Sequence, residues 1–290
     1  MANPEVVAQK DDLHSLEAGL DALQLSHTTG AKAAWWTRLF PPLIATGIVL
    51  LLWQWAFNAT GQQDWVLPSA GQVWEVLRQQ WDAGFVWPSV TNSLQRAVIG
   101  FLLSVAIATP LGVLVARVKF VRTAFGPVLS GLQQLPSVAW VPAAVIWFGL
   151  TPKAIYTVVL LGAVPSIANG LVAGIDQISP LYLRAGRVMG AKGMSAVRHI
   201  LLPAALPGYL QGLEQGWAFA WRSLMAAELI AISPELGPGL GQMLQTGREL
   251  GSMPLVIGTI ILILIVGIAV ERLGFAPLRQ RVLRNRGLGR

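Results

Sequence analysis

LQRAVIGFLLSVAIATPLGVLVA, residues Leu94 to Ala116, is the stretch that decides the fold class. It is an apolar block of the length a helix needs to cross roughly 30 Å of hydrocarbon. Outward from it the chain repeats the theme: further apolar blocks run from Leu39 to Phe57, Val128 to Leu150, Ala154 to Ile175, Tyr209 to Ile232 and Pro254 to Leu273. The 290 residues are 54% hydrophobic and 12% charged, against about a quarter charged in a soluble domain. An aqueous core cannot absorb that much apolar surface, so the sequence predicts an all-α integral membrane protein with six transmembrane helices.

The segments between the blocks fix the orientation, because Lys and Arg of short loops stay on the cytoplasmic side. Lys10, Lys32 and Arg38 precede the first block, Arg117, Lys119 and Arg122 follow the second, and Arg184, Arg187, Lys192 and Arg198 follow the fourth. Arg279, Arg281, Arg284, Arg286 and Arg290 fill the tail. The alternate segments hold Arg78, Lys153 and Arg248 with five acids, Asp64, Glu75, Asp82, Glu235 and Glu249. Both termini are therefore expected in the cytoplasm. Residues 1–38 read as a flexible cytoplasmic segment with no signal-peptide pattern, residues 39–273 as the six-span domain, and residues 274–290 as a basic tail. The net charge of +7 is spread between spans, which speaks against a nucleic-acid-binding face. With no cysteine, disulfide frameworks, thiolate metal sites and thiol catalysis are excluded.

Within the spans, Gly100, Ser104, Ala108, Gly112 and Ala116 recur every fourth residue, a small-residue seam along which another backbone can approach. Pro110, Pro136, Pro142 and Pro165 lie inside spans, where each removes a backbone hydrogen bond and favours a kink. Trp35, Trp36, Trp53, Trp65 and Trp87 sit near span ends, as interfacial belts require. His14, His27 and His199 are scattered without metal-ligand spacing, so no metal and no cofactor are expected. Asn58-Ala59-Thr60 has the form of a glycosylation acceptor.

The segment from about 176 to 208 contains SPLYLRAGRVMGAKGMSAVRHILLPAALPG. Its middle predicts two short amphipathic helices broken at Gly190 to Gly193, with Arg184, Arg187, Lys192 and Arg198 outward and Leu183, Val188, Met189, Val197 and Ile200 inward. On physics alone, such a segment also suits a basic face lying on anionic lipid. The spacing of Ala185, Gly190 and Ala191, then Ile200, Leu202 and Pro203, resembles the cytoplasmic coupling loop of ABC-importer permeases, often called the EAA loop. The motif's usual Glu is replaced by Arg184 and its second Ala by Gly186. The stretches RAVIGF (Arg96 to Phe101), LPSVAWVPAAVIWFG (Leu135 to Gly149) and AAELI (Ala226 to Ile230) resemble the branch serving sulfonates, taurine, nitrate and bicarbonate.

That resemblance, covering about Leu94 to Leu273, implies the type I importer permease fold: six helices, five of them wrapping a pathway shared by two permease subunits. It implies a loop (Arg184, Ala185, Gly186, Arg187, Gly190, Ala191, Leu202, Pro203) that docks on an ABC ATPase subunit present in two copies. It further implies a second permease copy, expected to form a homodimer, and an external solute-binding protein. No GxxxxGK[ST] phosphate loop occurs, so the chain is expected to be a non-catalytic subunit powered by that separate ATPase. The cargo expected is a small oxyanion, an aliphatic sulfonate or taurine ahead of nitrate or bicarbonate. The rival class is an ion-coupled secondary transporter or channel working through Glu214, Arg222 and Glu228, although no internal repeat is visible.

Charges in hydrocarbon cost at least roughly 2.5 kcal/mol each, so those three residues of the fifth span require an account. Helical counting puts Glu214, Trp217, Trp221, Met225 and Glu228 on one face and Gly212, Gly216, Ala220, Ser223 and Ala227 on the other. Arg222 projects between them, able to serve an anion route or to pair with an acid of another helix. Gln133, Gln134, Ala139 and Trp140 of the third span are further candidates for pathway lining, though amides also bond neighbouring helices.

Overall fold

The computed structural model describes residues 36–59, 61, 66–231 and 236–284, which fall into two compact units divided after Gly61. Expectations placed on residues 1–35, on Thr60, Asp64, Trp65 and Glu235, and on Arg286 and Arg290 lie outside the described residues. The first unit contains helix α1 (Trp36–Ala59), within which the expected first span falls.

Among its described residues, every regular element of the second unit is a helix. An amphipathic helix α2 (Ala70–Asp82) opens with a capping box, in which Ser69 and Gln72 exchange side-chain and backbone hydrogen bonds. Helix α3 (Val86–Arg117) begins eight residues before the apolar block and contains all of it. Helices α4 (Lys119–Gln134) and α5 (Val141–Phe148) follow, then α6 (Pro152–Asp176). Two short pieces, α7 (Pro180–Val188) and α8 (Gly193–Ala196), lead through a π-turn (Val197–Leu201) into α9 (Leu202–Ile230). Helices α10 (Leu240–Glu249), α11 (Met253–Val270), a second π-turn (Glu271–Phe275) and α12 (Ala276–Arg284) complete the chain.

Among the described residues, Val86–Arg117, Pro152–Asp176 and Met253–Arg284 are long and apolar enough to cross a bilayer by length and composition alone. Helix α9 is as long as these, but Gln211, Glu214, Gln215, Arg222 and Glu228 lower its hydropathy. The third expected span, Val128 to Leu150, is not one helix. It breaks at Leu135, which is extended, and resumes through a 3₁₀ turn at Ser137–Trp140. Pro136 is the physical cause: it has no N–H to continue α4 and forces the residue before it out of the helical region. Pro142 sits in the first turn of α5, where a missing N–H costs nothing. Pro110 and Pro165 remain inside continuous helices.

The core is built on α6, whose Val158, Val159, Ala163, Ile167, Ala168 and Leu171 are fully buried. The small-residue seam of α3 packs on it as its spacing predicts. A Cβ on Gly100 would lie 2.8 Å from the Val159 side chain, and one on Gly112 would lie 3.1 Å from the Ala168 carbonyl oxygen. The approach of α9 is closer still. A Cβ on Gly170 would sit 2.2 Å from the Gly212 Cα, and one on Gly208 would sit 2.5 Å from the Gly174 Cα. Two backbones thus meet with no side chain between them, and α6 and α9 are the helices that the 176–208 segment joins.

Candidate coupling loop and pathway face

The joining loop folds back on its two helices. Ser179 caps α7, its Oγ accepting from the Leu181 N–H, and Pro180 takes the first helical position. The helix ends in a Schellman arrangement: the Ala191 N–H donates to the Gly186 carbonyl and the Gly190 N–H to the Arg187 carbonyl. Gly190 holds the position that demands left-handed backbone, with φ of 82°. A Cβ there would meet nothing within 4 Å, so the glycine serves conformation and not close packing within this chain.

Gly186 does the opposite. It is buried, and a Cβ on it would lie 2.0 Å from the end of the Ile200 side chain. The departure from the familiar alanine is therefore filled by Ile200, which the shorter residue admits. Leu201 is buried with Leu171, Ile175, Ile178 and Ala205, and Leu183, Val197, Val113 and Ala116 close around them. The loop is bolted by apolar contacts to the ends of α3, α6 and α9.

Arg184, Arg187, Lys192 and Arg198 face outward, as expected, and Ala185 is exposed with them. Val188 and Met189 do not face inward: they are 88% and 78% exposed. The α7 helix ends at Val188, and the Schellman turn carries the chain away before either side chain can reach the interior. Leu181, Tyr182 and Met194 are exposed too, so the loop carries five large apolar side chains in the open among its arginines. Surfaces of this kind on a folded chain mark docking sites.

The charges of α9 have separate fates. Glu228 is fully buried in a closed clasp: Oε1 accepts from Arg96 Nη1 at 2.7 Å, and Oε2 accepts from Ser93 Oγ at 2.7 Å and from the Gly241 N–H at 3.1 Å. Ser93 Oγ accepts in turn from the Leu240 N–H, and Arg96 Nη2 donates to the Leu236 carbonyl. Gly239 and Gly241 are small because the Glu228 side chain occupies the space their Cβ atoms would take, at 2.7 and 2.5 Å. Glu228 is thus removed from any accessible surface, a correction to its expected place on the face of Glu214. Glu214 pairs with Arg279 of α12 at 3.3 Å. Arg222 makes no ion pair among the described residues; its Nε donates to the Ala218 carbonyl and its guanidinium lies 4.7 Å from the centre of the Phe219 ring.

Glu214, Trp217, Trp221 and Arg222 do converge. With Ala218, they form one wall of a 590 Å³ groove whose other wall comes from Ile263, Gly267, Glu271 and Phe275. Trp217 and Trp221 stack at 6.3 Å and are themselves almost buried, with Phe101 and Phe275 edge-on or tilted against Trp217. The accessible stripe of α9 runs instead through Gln211, Gln215, Ala218 and Arg222. An amide and cation stripe open on a helix of this kind needs water or a partner.

The break between α4 and α5 abuts the same helix. A Cβ on Gly162 of α6 would meet the side chains of both Ser223 and Ser137. Gln134 and Ala139 are exposed beside the break, whereas Trp140 packs on the core. Gln133 accepts from the Asn169 amide at 2.9 Å, the bond to a neighbouring helix that its residue type also allowed.

A family model described as binding-protein-dependent transport system inner membrane component matches residues 108–276. The chain belongs to that family.

The permease is 31% identical over 180 residues to a protein of Methanocaldococcus jannaschii named as an ABC transporter permease, covering 62% of this chain and 66% of that one. It is 30% identical over 197 residues to the taurine transport system permease protein TauC of Escherichia coli, covering 68% and 70%. The chain therefore spans about two thirds of the length of these relatives. Others, at 26% and 27% identity, are named for aliphatic sulfonates in Bacillus subtilis and for nitrate in Synechocystis. A chain of the MetNI methionine ABC transporter, solved in inward-facing conformations, superposes with a TM-score of 0.57 at 21% identity, over 74% of this permease and 99% of that chain. The permease thus has the type I importer fold and is a multi-pass inner-membrane component, as its motifs implied.

Proposed function

We propose that this permease forms half of the translocation pathway of an ATP-driven importer for a small organic sulfonate of the taurine type. Two copies assemble with two ATPase subunits and an external solute-binding protein, and both termini and the loop at 176–208 lie in the cytoplasm. Residues 39–273 supply six spans, flanked by a polar segment at 1–38 and a basic tail at 274–290. The chain itself is non-catalytic; nucleotide chemistry belongs to the ATPase.

The observation that carries the reading is the loop's exposed surface, Leu181, Tyr182, Val188, Met189 and Met194, set on a base that two glycine-packed helices cannot yield. The named loop residues Arg184, Ala185, Gly186, Arg187, Gly190, Ala191, Leu202 and Pro203 shape that surface. When the partner moves it, α6 and α9 move as one body, because Gly170 and Gly212 leave no side chain to slip. The stripe Gln211, Gln215, Ala218 and Arg222, with Gln134 and Ala139 at the broken span, then faces alternate sides. Arg222 on one wall and Glu271 on the other, beside Trp217 and Phe275, suit a zwitterion carrying sulfonate and ammonium better than a simple anion such as nitrate.

The test is a double variant, Val188→Asp with Met189→Asp. It should reach the membrane in normal amount, yet lose co-purification of the ATPase and uptake of taurine. Normal ATPase association would sink the docking role, and uptake of nitrate in preference to taurine by the unaltered protein would sink the cargo assignment.

A further inference from the structure

A second cavity lies where the loop meets the end of α3. It has a volume of 420 Å³ and is open to solvent on one side. Its floor is apolar, made by Ala116, Leu183, Ala191, Ile200 and Leu201. Its rim carries three cations: Arg117 from the last turn of the membrane helix, and Arg187 and Lys192 from either side of the Schellman turn.

No carboxylate lines this cavity. Asp176, at the loop's start, is taken by Arg122, whose Nη1 and Nη2 donate to its two oxygens at 2.9 and 2.6 Å. Arg117, Arg187 and Lys192 make no ion pair among the described residues, and all three are exposed. Like charges gathered at the mouth of one cavity repel one another, and the repulsion is relieved when a shared counter-charge enters. Two guanidinium groups and an ammonium offer the forked and point donors that a phosphate accepts, and the apolar floor leaves space for what the phosphate is attached to.

We propose that this cavity is a binding site for a phosphate group, which on entering ties the end of α3 to the loop. The site is distinct from the exposed apolar surface of Val188, Met189 and Met194, none of which lines it. Because Arg117 belongs to a membrane helix and Arg187 and Lys192 to the loop, a bound phosphate restrains the loop against that helix. The phosphate can belong to a free ion or to a phospholipid headgroup; both present anionic non-bridging oxygens.

The experiment follows the acylation rate of Lys192 in the full-length permease by mass spectrometry, with Lys119, which does not line the cavity, as internal reference. Inorganic phosphate is compared with chloride at equal ionic strength in detergent, and anionic phosphatidylglycerol with phosphatidylcholine, whose choline cation offsets its phosphate, in nanodiscs. At about ten times the dissociation constant, occupancy slows modification of Lys192 about tenfold and leaves Lys119 unchanged. Protection by phosphate in detergent assigns a free ion, and protection by phosphatidylglycerol alone assigns a lipid. Arg117→Gln, a change at an exposed helix end, removes most of the protection in either case, and Arg187→Gln does the same from the loop side. Equal rates for Lys192 under all four conditions, or protection that survives both substitutions, overturns the proposal.

Discussion

The two ends of α9 are fastened by different means. At the loop end, Gly208 and Gly212 lie against Gly174 and Gly170 with no side chain between them, the contacts of Leu201 and Ile200 beyond them are apolar, and a neutral hydrogen bond, between the Tyr209 and Thr109 hydroxyls at 2.6 Å, joins α9 to α3. At the far end a buried carboxylate, Glu228, gathers Arg96, Ser93 and the backbone of the first turn of α10. Apolar close packing is indifferent to direction but intolerant of volume, so it carries a push or a pull equally well. A buried ion pair adds little net stability over an apolar pair of equal size but punishes every arrangement that leaves one member alone. The loop end is made to transmit, and the far end to hold one register.

The contrast breaks most severely at the clasp. Glu228→Ala leaves the Arg96 guanidinium, 13% exposed, without its carboxylate, at a cost of up to about 3–5 kcal/mol. Replacing both, Arg96→Met with Glu228→Met, should recover most of that loss in thermal unfolding of the purified permease. A double variant no better than the single would mean that the clasp matters through Ser93 and the Leu236 carbonyl instead.

Next in size is Gly212→Ala, which sets a Cβ 2.8 Å from the Gly170 Cα. Since backbone cannot step aside, this should cost about 1–3 kcal/mol. It should also reduce binding-protein-stimulated ATP hydrolysis more than basal hydrolysis, and parallel loss of both would deny the transmitting role.

Gly190 separates conformation from contact. Gly190→Val forces a branched side chain into left-handed backbone, at about 1–3 kcal/mol, and should abolish ATPase association. Gly190→Asn, tolerant of that conformation and facing open space, should keep it. If both fail alike, the constraint is steric and comes from the partner. Smallest of all, Arg184→Glu should alter uptake less than twofold, a shift worth under ~0.4 kcal/mol, because the residue points outward without an ion pair among the described residues.

Much of this was legible in the chain. The seam of Gly100, Ser104, Ala108 and Gly112 lies on α6 as its fourfold spacing required, and the loop folds into two pieces around Gly190 as expected. What failed did so for local reasons. Helical counting assigned Val188 and Met189 inward because periodicity assumes that the helix continues, and α7 stops there. It grouped Glu228 with Glu214 because both are acids on one face, while their partners, Arg96 and Arg279, come from helices far apart in sequence. Arg96 itself was visible as a cation inside an apolar block, and GPGLG at 237–241 as a stretch with little side-chain volume. Neither signal names the other. Gln211 and Gln215 escaped because helical counting divided the span into an acid-and-aromatic face and a small-residue face, and both amides fall at the azimuth of Arg222 between them.

Proline sits just beyond each π-turn: Pro203 after Val197–Leu201 and Pro277 after Glu271–Phe275. At both places the closing hydrogen bond spans five residues instead of four, the Leu202 N–H reaching the Val197 carbonyl and the Ala276 N–H the Glu271 carbonyl. Each therefore stores one surplus residue, and a surplus residue is a phase shift: every side chain downstream is turned by about 100° relative to an uninterrupted helix. The azimuth of Gln211, Gln215 and Arg222 is thus indexed from the loop by Pro203. Shortening 197–201 by one residue, with Pro203→Ala to let an ordinary turn close, should leave that azimuth unchanged, whereas either alteration alone should rotate the whole stripe away from where it now points.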